Sequence, residues 1–388
     1  MVKLKLGWKL VKLGDVVDVV TDYWDRDPTR PERFVAGEHI DEGDLRVRRW
    51  GMTNDELVPP TFNRRFKSRD VLFHSRNLRK IVVPDFDGIT GEKLFVLRPL
   101  DEQALMQDFL PFILQTSEFY EYTEKMWAGS TNKFLNKAPL VRFEFPLPPI
   151  KEQRRLVEIL SVSEQALNAN RALADQARIL HMSTVDILVS AAFKNAPRGY
   201  LNDFVDQSRP ITYGILKPGT GFPNGVPVIK VRDFPDGEIL TNDLLLTDPT
   251  IDQEYRRSRL RAGDLLISIR GTIGRLAFVP VKLENANITQ DTARLSIREG
   301  YNSKFVRVLL ESSILRSQIR SNTTGLAVQG LNIGELRRLK VPILPQSAQD
   351  RIADIADVTK ITTISADRRT RDVGALKYNL LREIFRGQ

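Results

Sequence analysis

The order of apolar and polar residues divides the chain into four parts, in which two long helical stretches each follow a region of shorter elements. From Lys151 to Asn195 the chain contains neither proline nor glycine, and its apolar residues recur at the three- and four-residue spacing of an α-helix. An unbroken helix of this extent would be about 65 Å long. Residues 346–388 repeat the pattern, with Gly374 as an interruption.

A seven-residue repeat predicts that the first helical stretch packs against another helix. Five apolar residues of this stretch are spaced by seven, which is typical of a coiled-coil seam. The predicted seam on both stretches comprises Leu156, Ile159, Ala166, Leu173, Leu180, Ile187, Ile352, Ile355, Val373, Leu376 and Leu380. Because each stripe is too long for one globular module to cover, we expect the two helices to pack on each other in antiparallel orientation.

The two remaining regions combine the period-two alternation of β-strands with shorter helical patterns. In the first region, residues 141–145 alternate as a strand does, and the apolar residues within 107–126 indicate a helix. In the second region, residues 305–318 indicate a corresponding helix, and residues 261–268 resemble residues 67–74. Each region is therefore predicted to be a mixed α/β domain.

The junction between a region and its helix occurs twice. Residues of the first junction recur in the second at one offset of 196 positions: Pro149 and Pro345, Gln153 and Gln349, Arg155 and Arg351. A period of this length indicates a domain duplication rather than a solenoid. We predict an α+β fold in which two mixed α/β domains are separated by a long antiparallel two-helix coiled coil and related by a pseudo-twofold axis. The predicted segments are residues 1–150, 151–197, 198–345 and 346–388.

Composition narrows the function classes. The formal net charge is +9 and the pI is about 9.6, which favours a polyanionic partner such as nucleic acid, although a basic protein without one remains an alternative. The chain has no cysteine and three histidines, which excludes thiolate chemistry and argues against a histidine-rich metal site. No apolar run is long enough to span a membrane and no signal peptide is recognisable, so a cytoplasmic protein is expected.

No catalytic motif is recognisable. The chain lacks a phosphate-binding P-loop, a glycine-rich cofactor loop and the Asn/Asp-Pro-Pro-aromatic motif of amino-methyltransferases. Asp85 with Glu92 and Lys93 faintly resembles a nuclease set, but Glu92 and Lys93 are adjacent and would point to opposite faces of a strand. We therefore predict no catalytic residue, no metal and no cofactor on this chain.

Polar and basic loop residues at matched positions of the two regions are the candidates for DNA contacts. Cationic groups neutralise phosphates, and amide, hydroxyl and guanidinium groups read base edges in the major groove. In the first region the candidates are Tyr23, Trp24, Arg76, Arg79, Lys80, Ser130, Thr131, Asn132 and Lys133. In the second they are Thr212, Tyr213, Lys230, Arg232, Arg270, Thr323, Thr324 and Gln329. A further basic group comprises Arg256, Arg257, Arg259 and Arg261. Any one of these side chains, taken alone, is more often a turn or packing residue.

Together these features resemble the specificity subunit of type I restriction–modification systems over essentially the whole chain. The resemblance is carried by the segment Pro-Leu-Pro-Pro-Ile-Lys-Glu-Gln-Arg-Arg-Leu, which begins at Pro146, and by helix ends that close with Phe193 and Phe385. Short segments of both regions also resemble target recognition domains: residues 37–41, 78–80, 85–88, 211–219, 225–233 and 287–294.

The resemblance implies that each region is a target recognition domain that reads one half of a split double-stranded DNA sequence. The helices would set the spacer between the half-sites and carry two methyltransferase subunits, which a restriction translocase can join. Adenine methylation would use S-adenosylmethionine held by those partners. This chain would be the non-catalytic specificity subunit of a prokaryotic host-defence complex.

Two alternatives remain open at this point: a stand-alone DNA-modifying enzyme, and a coiled-coil adapter that binds proteins only. The second helical stretch departs from the family pattern, since Gln346-Ser347-Ala348-Gln349 replaces the Lys-Glu-Gln start of the first. It is therefore open whether the second helix packs as firmly as the first.

Overall fold

The chain folds into two compact units. A computed structural model describes residues 4–26, 30–54, 58–235, 237–324 and 330–385. Unit 1 comprises Met1–Ala172 with Asp367–Gln388, and unit 2 comprises Leu173–Ala366. Within the described residues, none of the helices combines the length and the apolar character that crossing a membrane would require.

Unit 1 contains two four-stranded sheets, a two-stranded sheet and a phenylalanine-rich core. Its strands are β1 (Lys9–Lys12), β2 (Val17–Val19), β3 (Arg33–Val35), β4 (Gly51–Met52), β5 (Phe62–Phe66), β6 (Val71–His74), β7 (Ile81–Val82), β8 (Gly88–Gly91), β9 (Leu94–Pro99) and β10 (Glu144–Leu147). Its short helices are α1 (Leu13–Val16), α2 (Leu110–Ile113), α3 (Ser117–Lys125) and α4 (Lys137–Val141). One four-stranded sheet has the order β2-β9-β6-β7, and the other has the order β4-β3-β8-β5, in which β3 and β8 are parallel. We call the part of unit 1 that precedes residue 150 the first module.

Unit 2 repeats this strand order. Helix α5 (Ile150–Asn195) precedes strands β11 (Arg198–Tyr200), β12 (Thr212–Tyr213), β13 (Val226–Ile229), β14 (Leu245–Thr247), β15 (Leu265–Ser268), β16 (Leu276–Phe278), β17 (Asn287–Ile288), β18 (Thr292–Leu295), β19 (Thr323–Thr324), β20 (Gly330–Leu331) and β21 (Lys340–Pro342). The other helices are α6 (Pro249–Glu254), α7 (Ser303–Glu311), α8 (Ser313–Ser321), α9 (Ile333–Arg337) and α10 (Gln346–Phe385). The sheet β12-β18-β15-β16 matches β2-β9-β6-β7, and β14-β13-β17 contains the same parallel pair as the first module. We call residues 198–345 the second module.

The single helix predicted within residues 107–126 is wrong, and so is the single helix predicted over residues 305–318. Both regions contain two helices, α2 with α3 and α7 with α8. Each break has the same cause: a hydroxyl, from Thr116 or Ser312, accepts the N–H of the third residue of the next helix. Such N-caps favour a helix start over continuation of the preceding helix, and the apolar spacing does not reveal them.

One buried glutamine ties the start of each long helix to its own module. The side chain of Gln153 donates to the carbonyls of Ala104 and Pro148 and accepts the N–H of Met106, at 2.8 to 2.9 Å. Gln349 donates to the carbonyl of Leu344 at 2.8 Å and accepts the N–H of Asn302 at 3.0 Å. Two of these contacts recur at the offset of 196, so the duplication extends from the sequence to individual hydrogen bonds.

The two long helices pack together within each unit, with contacts in antiparallel order. In unit 1, Glu164 pairs with Lys377, and Gly374 lies against Leu167. In unit 2, the ring of His181 contacts the hydroxyl of Thr359 at 2.8 Å, and the hydroxyl of Thr363 donates to the carbonyl of Ala177 at 3.2 Å. In both units, residues further along α5 therefore contact residues earlier in α10, as in an antiparallel pair.

The predicted heptad seam is wrong for most of its members. Leu156 is buried, but Leu180 is 56% and Ile187 is 69% exposed. The other predicted seam residues that are exposed are Ile159, Ala166, Leu173, Ile355 and Leu376, and those that are half-buried are Ile352, Val373 and Leu380. The buried positions are instead occupied mainly by small and polar residues together with a few leucines and valines: Leu160, Glu164, Leu167, Ala174, Ala177, His181, Val185, Val189, Ala353, Ala356, Thr363, Ala366 and Lys377. A heptad count that ranks large apolar residues first therefore selects the wrong face.

The boundaries between the compact units lie inside the two long helices. In the four predicted segments, by contrast, each long helix is a segment of its own. Helix α5 spans Ile150–Asn195 and α10 spans Gln346–Phe385, compared with the predicted 151–197 and 346–388. Each compact unit combines one module with parts of both helices. The four-segment division stays a prediction.

Candidate nucleic-acid interface

In the first module, a histidine at the end of β6 organises a basic loop. The unprotonated Nδ1 of His74 accepts the N–H groups of Arg76 and Asn77 at 3.0 and 2.9 Å. A Cβ on Gly37 would lie 2.4 Å from Nε2 of His74, so only glycine permits this approach. The ammonium of Lys80 donates to the carbonyl of Gly37 at 2.6 Å, which fixes the loop against the short 3-10 helix Gly37–His39.

The charged groups that affect the pKa of His74 are three cations. Burial lowers the pKa of His74, and the charges of Lys80, Lys93 and Arg76 lower it further, to about 4. A neutral imidazole at physiological pH is consistent with its acceptor role toward two backbone N–H groups. The causes of the pKa shift include three cations and no carboxylate. Such a group of cations creates a local field that favours a polyanion.

A polar hairpin tip lies beside this loop. Residues 129–133 are closed by an antiparallel bridge between Ala128 and Phe134, and the N–H of Leu135 donates to the carbonyl of Ser75 at 2.8 Å. The tip carries Ser130, Thr131, Asn132 and Lys133, all exposed. Lys133 lies over the Trp127 ring at 5.5 Å, and Arg79 lies over the Tyr120 ring at 5.1 Å. The structure therefore brings together the predicted residues of the 76–80 and 130–133 segments.

Tyr23 and Trp24 differ from each other in exposure. Tyr23 is 62% exposed and bridges to Arg64, whose guanidinium donates to the carbonyl of Leu94. Trp24 packs beside Phe34, and its indole Nε1 is buried without a hydrogen-bond partner. Tyr23 is thus available for contact, whereas Trp24 is mainly a packing residue.

In the second module, Arg270 joins the corresponding loop to the corresponding hairpin. It forms a bridge with Gly330, and its guanidinium donates to the side chain of Gln290 at 2.8 Å. The hairpin strands β19 and β20 pair Thr324 with Gly330, which is the pair Ala128 and Phe134 shifted by 196 positions. The hairpin and the loop after the equivalent central strand therefore recur in both modules.

The remaining candidates of the second module connect to the same loop through backbone contacts. The guanidinium of Arg275 donates to the carbonyl of Val231 at 3.2 Å, between the predicted residues Lys230 and Arg232. The N–H of Gln290 donates to the carbonyl of Ile215 at 3.0 Å, just beyond Thr212 and Tyr213 in β12. Arg232 is exposed, with Asp233 as an ion-pair partner at 3.5 Å. Thr323 lies in β19, and Gln329 lies outside the described residues.

Comparison with known proteins gives a family match for the first part of the chain. Residues 5–175 match the family model described as type I restriction modification DNA specificity domain.

Over residues 5–175 this chain is similar to the type I DNA specificity domain.

The specificity domain covers the first module and the first part of α5, and the resemblance predicted from the sequence is confirmed. The EcoBI specificity subunit of Escherichia coli is 25% identical over 289 residues, which cover 66% of this chain and 61% of that subunit. A specificity subunit of Methanocaldococcus jannaschii, MjaX, is 22% identical over 385 residues, covering 89% of this chain and 85% of the relative. The crystal structure of a type I S subunit from M. genitalium is similar in fold, with a TM-score of 0.55, 15% identity and 99% coverage of both chains.

Four side chains of these loops were not among the candidates predicted from the sequence. Two belong to the first module and two to the second. These are Asn77, Lys93, Arg275 and Gln290. Gln290 stands in a segment that the family resemblance had already singled out, and Lys93 appeared only in the rejected nuclease alternative. Their role depends on which loops lie next to each other in the folded module. The spacing of residues in the sequence does not predict this. Whether any candidate contacts a base stays a prediction. Within the described residues, no group of three or more His, Asp and Glu side chains is placed to hold a metal ion.

Proposed function

We propose that this chain is the DNA-recognition subunit of a type I restriction–modification complex and that each module reads one half of a split DNA target. The observation that carries the proposal is the repeated loop-and-hairpin end of the two modules, built on the same strand order. In each module the end presents cations for phosphates and amide or hydroxyl groups for bases. Phosphate contacts would position a module, and base contacts would give it specificity.

The exposed apolar side chains of the long helices support docking of partner subunits. Large apolar residues at exposed positions occur on both helices: Ile159, Val162, Leu173, Ile179, Leu180 and Ile187 on α5, and Ile355, Val358, Ile361, Ile364 and Leu376 on α10. Clustered exposed apolar residues mark interaction surfaces. We propose that two methyltransferase subunits bind here, that they hold S-adenosylmethionine, and that restriction subunits can join the complex. On this proposal the chain itself is non-catalytic.

The helix pair would also set the distance between the two half-sites. The antiparallel order of contacts within each unit supports a two-helix coiled coil. The test removes one heptad from α5 near residues 172–176 and one from α10 near residues 362–368, the stretches in which Ala174 packs with Ala366, so that the remaining contacts of the two helices stay in register. The spacer of the DNA target is expected to shorten while both half-site motifs stay the same. An altered half-site motif would contradict this role.

The proposal as a whole is tested by selection from a random DNA pool. The chain, with its methyltransferase partner, is expected to recover two short motifs at fixed spacing. Recovery of no motif would favour the adapter that binds proteins only. Transfer of a labelled methyl group to DNA by the purified chain alone would favour the stand-alone enzyme instead.

A further inference from the structure

Unit 2 contains a cavity of about 610 Å³ whose lining includes seven arginines and no carboxylate. Six of these arginines are Arg209, Arg256, Arg257, Arg261, Arg294 and Arg337. Like charges at this density repel one another, so the arrangement is stable only with counter-charges nearby. Carboxylates near the cavity that act on these arginines include Asp206 and Asp264.

Two of the seven guanidinium groups have carboxylate partners outside the lining. Arg209 binds Asp264 through two hydrogen bonds of 2.9 Å, and Arg259 donates to Asp252 at 2.8 Å. The side chains of Arg256 and Arg257 are exposed and make no hydrogen bond or ion pair with the described residues. They supply positive charge to the lining of the cavity.

The buried Arg294 holds the backbone of the segment that carries these arginines. Arg294 is 2% exposed and donates to the carbonyls of Arg257, Arg259 and Pro210 at 2.8, 3.1 and 3.0 Å. Its Nε is buried without a hydrogen-bond partner, as is the Nε of Arg337. Burial lowers the pKa of Arg294 to about 10, and the positive charge of Arg209 contributes to the shift. A buried cation is costly, and its hydrogen bonds organise the loop that carries the exposed arginines.

The first module has no such arginine at the equivalent position. Arg294 of β18 stands opposite Leu266 of β15, and Val96 of β9 stands opposite Leu72 of β6 in the matching sheet. Val96 is fully buried in an apolar cluster. The cavity therefore departs from the duplication, unlike the loop-and-hairpin ends that both modules share.

We propose that this cavity binds a phosphate group. Guanidinium groups form paired, charge-assisted hydrogen bonds with phosphate oxygens, and the cavity is large enough for a phosphate ester. Two sources carry this chemistry: a phosphodiester of bound DNA, or a free phosphorylated molecule. The first source is suggested by Thr212, which lines the cavity and precedes the exposed Tyr213 in β12; only this source rests on the proposed function.

Calorimetric titration of the full chain with inorganic pyrophosphate tests the proposal. The variant R256A/R257A removes two exposed cavity arginines and leaves the hydrogen bonds of Arg294 to backbone carbonyls in place. The control R316A/R320A removes two exposed arginines of α8, so that the net charge changes equally. We expect R256A/R257A to weaken pyrophosphate binding about tenfold or more, and the control to bind as the unsubstituted chain does. Matching thermal unfolding curves would show that both variants are folded.

Equal binding by R256A/R257A and the control, or no binding by the unsubstituted chain at millimolar pyrophosphate, would overturn the proposal. A second arm separates the two sources. If pyrophosphate displaces a fluorescent target duplex from the complex with the methyltransferase partner, and R256A/R257A abolishes this competition, the phosphate belongs to DNA. If the duplex stays bound while pyrophosphate occupies the cavity, the ligand is a free phosphorylated molecule. Failure of the duplex to bind at all would count against the proposed function and leave the pyrophosphate result standing.

Discussion

The two units share their hydrogen-bonded junctions but differ in the buried polar contacts of the helix pair. In unit 1, Glu164 of α5 pairs with Lys377 of α10. In unit 2, the carboxylate comes from the module: Glu311 of α7 contacts His181 of α5 at 3.2 Å and Lys360 of α10 at 3.1 Å. The duplication thus retained buried polar groups near the seam but changed which element supplies the negative charge.

This difference shows that equivalent backbones can be joined by different electrostatic contacts. At the offset of 196, Lys360 corresponds to Glu164 and Lys377 corresponds to His181, while Glu311 corresponds to Gln115. In unit 1 the ion pair joins helix to helix. In unit 2 one carboxylate joins both helices to the module, whereas in unit 1 an ion pair of 3.6 Å joins Asp44 of the first module to Arg171 of α5.

The largest expected effect is on replacing Glu311 by glutamine. The substitution leaves Lys360, Arg307 and His181 without their shared carboxylate, and loss of one partner from a buried ion pair costs about 3–5 kcal/mol. Glu164→Gln is the matched substitution in unit 1 and should cost less, because it leaves one cation, Lys377, without its carboxylate. Denaturant unfolding of both variants measures the difference. Equal losses would show that the module contact adds nothing.

The same carboxylate predicts a pH dependence for unit 2. Burial alone would raise the pKa of Glu311, but the hydrogen bond with His181 and the charges of Lys360 and Arg307 outweigh it and lower the pKa from 4.5 to about 2. Because the folded state has the lower pKa, this stabilisation is complete above about pH 4.5 and is lost as pH falls toward 2. Unfolding free energy measured across this window should fall more steeply in the unsubstituted chain than in Glu311→Gln. Parallel curves would refute the assignment.

A smaller difference is expected between the two junctions. Gln153→Ala breaks three buried hydrogen bonds and should cost about 3 kcal/mol, whereas Gln349→Ala breaks two and should cost about 2 kcal/mol. Gln165→Ala, an exposed position on α5, provides the control and should have little effect. The three variants are compared by chemical denaturation, and the reverse order for the two junction variants would contradict the contact geometry.

The modules should differ in which half-site a loop substitution affects. Arg270→Ala is expected to weaken binding to the second half-site by about 1–3 kcal/mol, and Arg76→Ala to do the same for the first. Arg316→Ala removes an equal charge from an exposed position of α8. Binding to duplexes with one altered half-site measures each effect. Uniform weakening across all duplexes would mean that these arginines contact phosphates and not bases.

The smallest expected effect is the contribution of His74 to the pH dependence of the free energy of unfolding. At neutral pH there is no such effect. Its pKa is lowered to about 4, so the imidazole stays neutral in the folded chain while it takes up a proton below about pH 6.5 in the unfolded chain. Stability that depends on the neutral ring is therefore complete above pH 6.5 and is lost as pH falls through 4. An NMR titration of His74 checks the folded value, and a midpoint near 6.5 would show that the loop lacks the inferred positive field.

The sequence predicted the parts of the fold that depend on spacing and repetition. The offset of 196 identified the junction prolines and glutamines, and the absence of helix breakers indicated α5. The buried face of α5 was not predictable from apolar size, because Ala174, Ala177 and His181 occupy buried positions while Leu180 is exposed. Close approach of two helices requires small residues, and the presence of a polar partner such as Glu311 depends on a distant part of the chain.

The sequence indicated which segments could form the candidate interface. It did not indicate which contacts each side chain makes. Arg76 and Asn132 were found because polar residues recur at matched positions. The distinction between Tyr23 and Trp24 could not be predicted, because it depends on the apolar cluster of Phe34, Ala36 and Ile89 against which Trp24 packs. The arginine group at residues 256–261 was visible in the sequence, but the cavity it lines also contains Arg294 from a distant strand, which donates to its carbonyls.

The junction glutamines have a consequence for how the protein responds to salt. Gln153 and Gln349 are uncharged, buried and bonded to backbone groups, so dissolved ions neither screen these bonds nor compete for them. The loop cations of the modules are exposed, and their attraction to a polyanion is screened over a Debye length of about 8 Å at physiological ionic strength. Raising the salt concentration should therefore release a bound polyanion long before either module loosens from its helix.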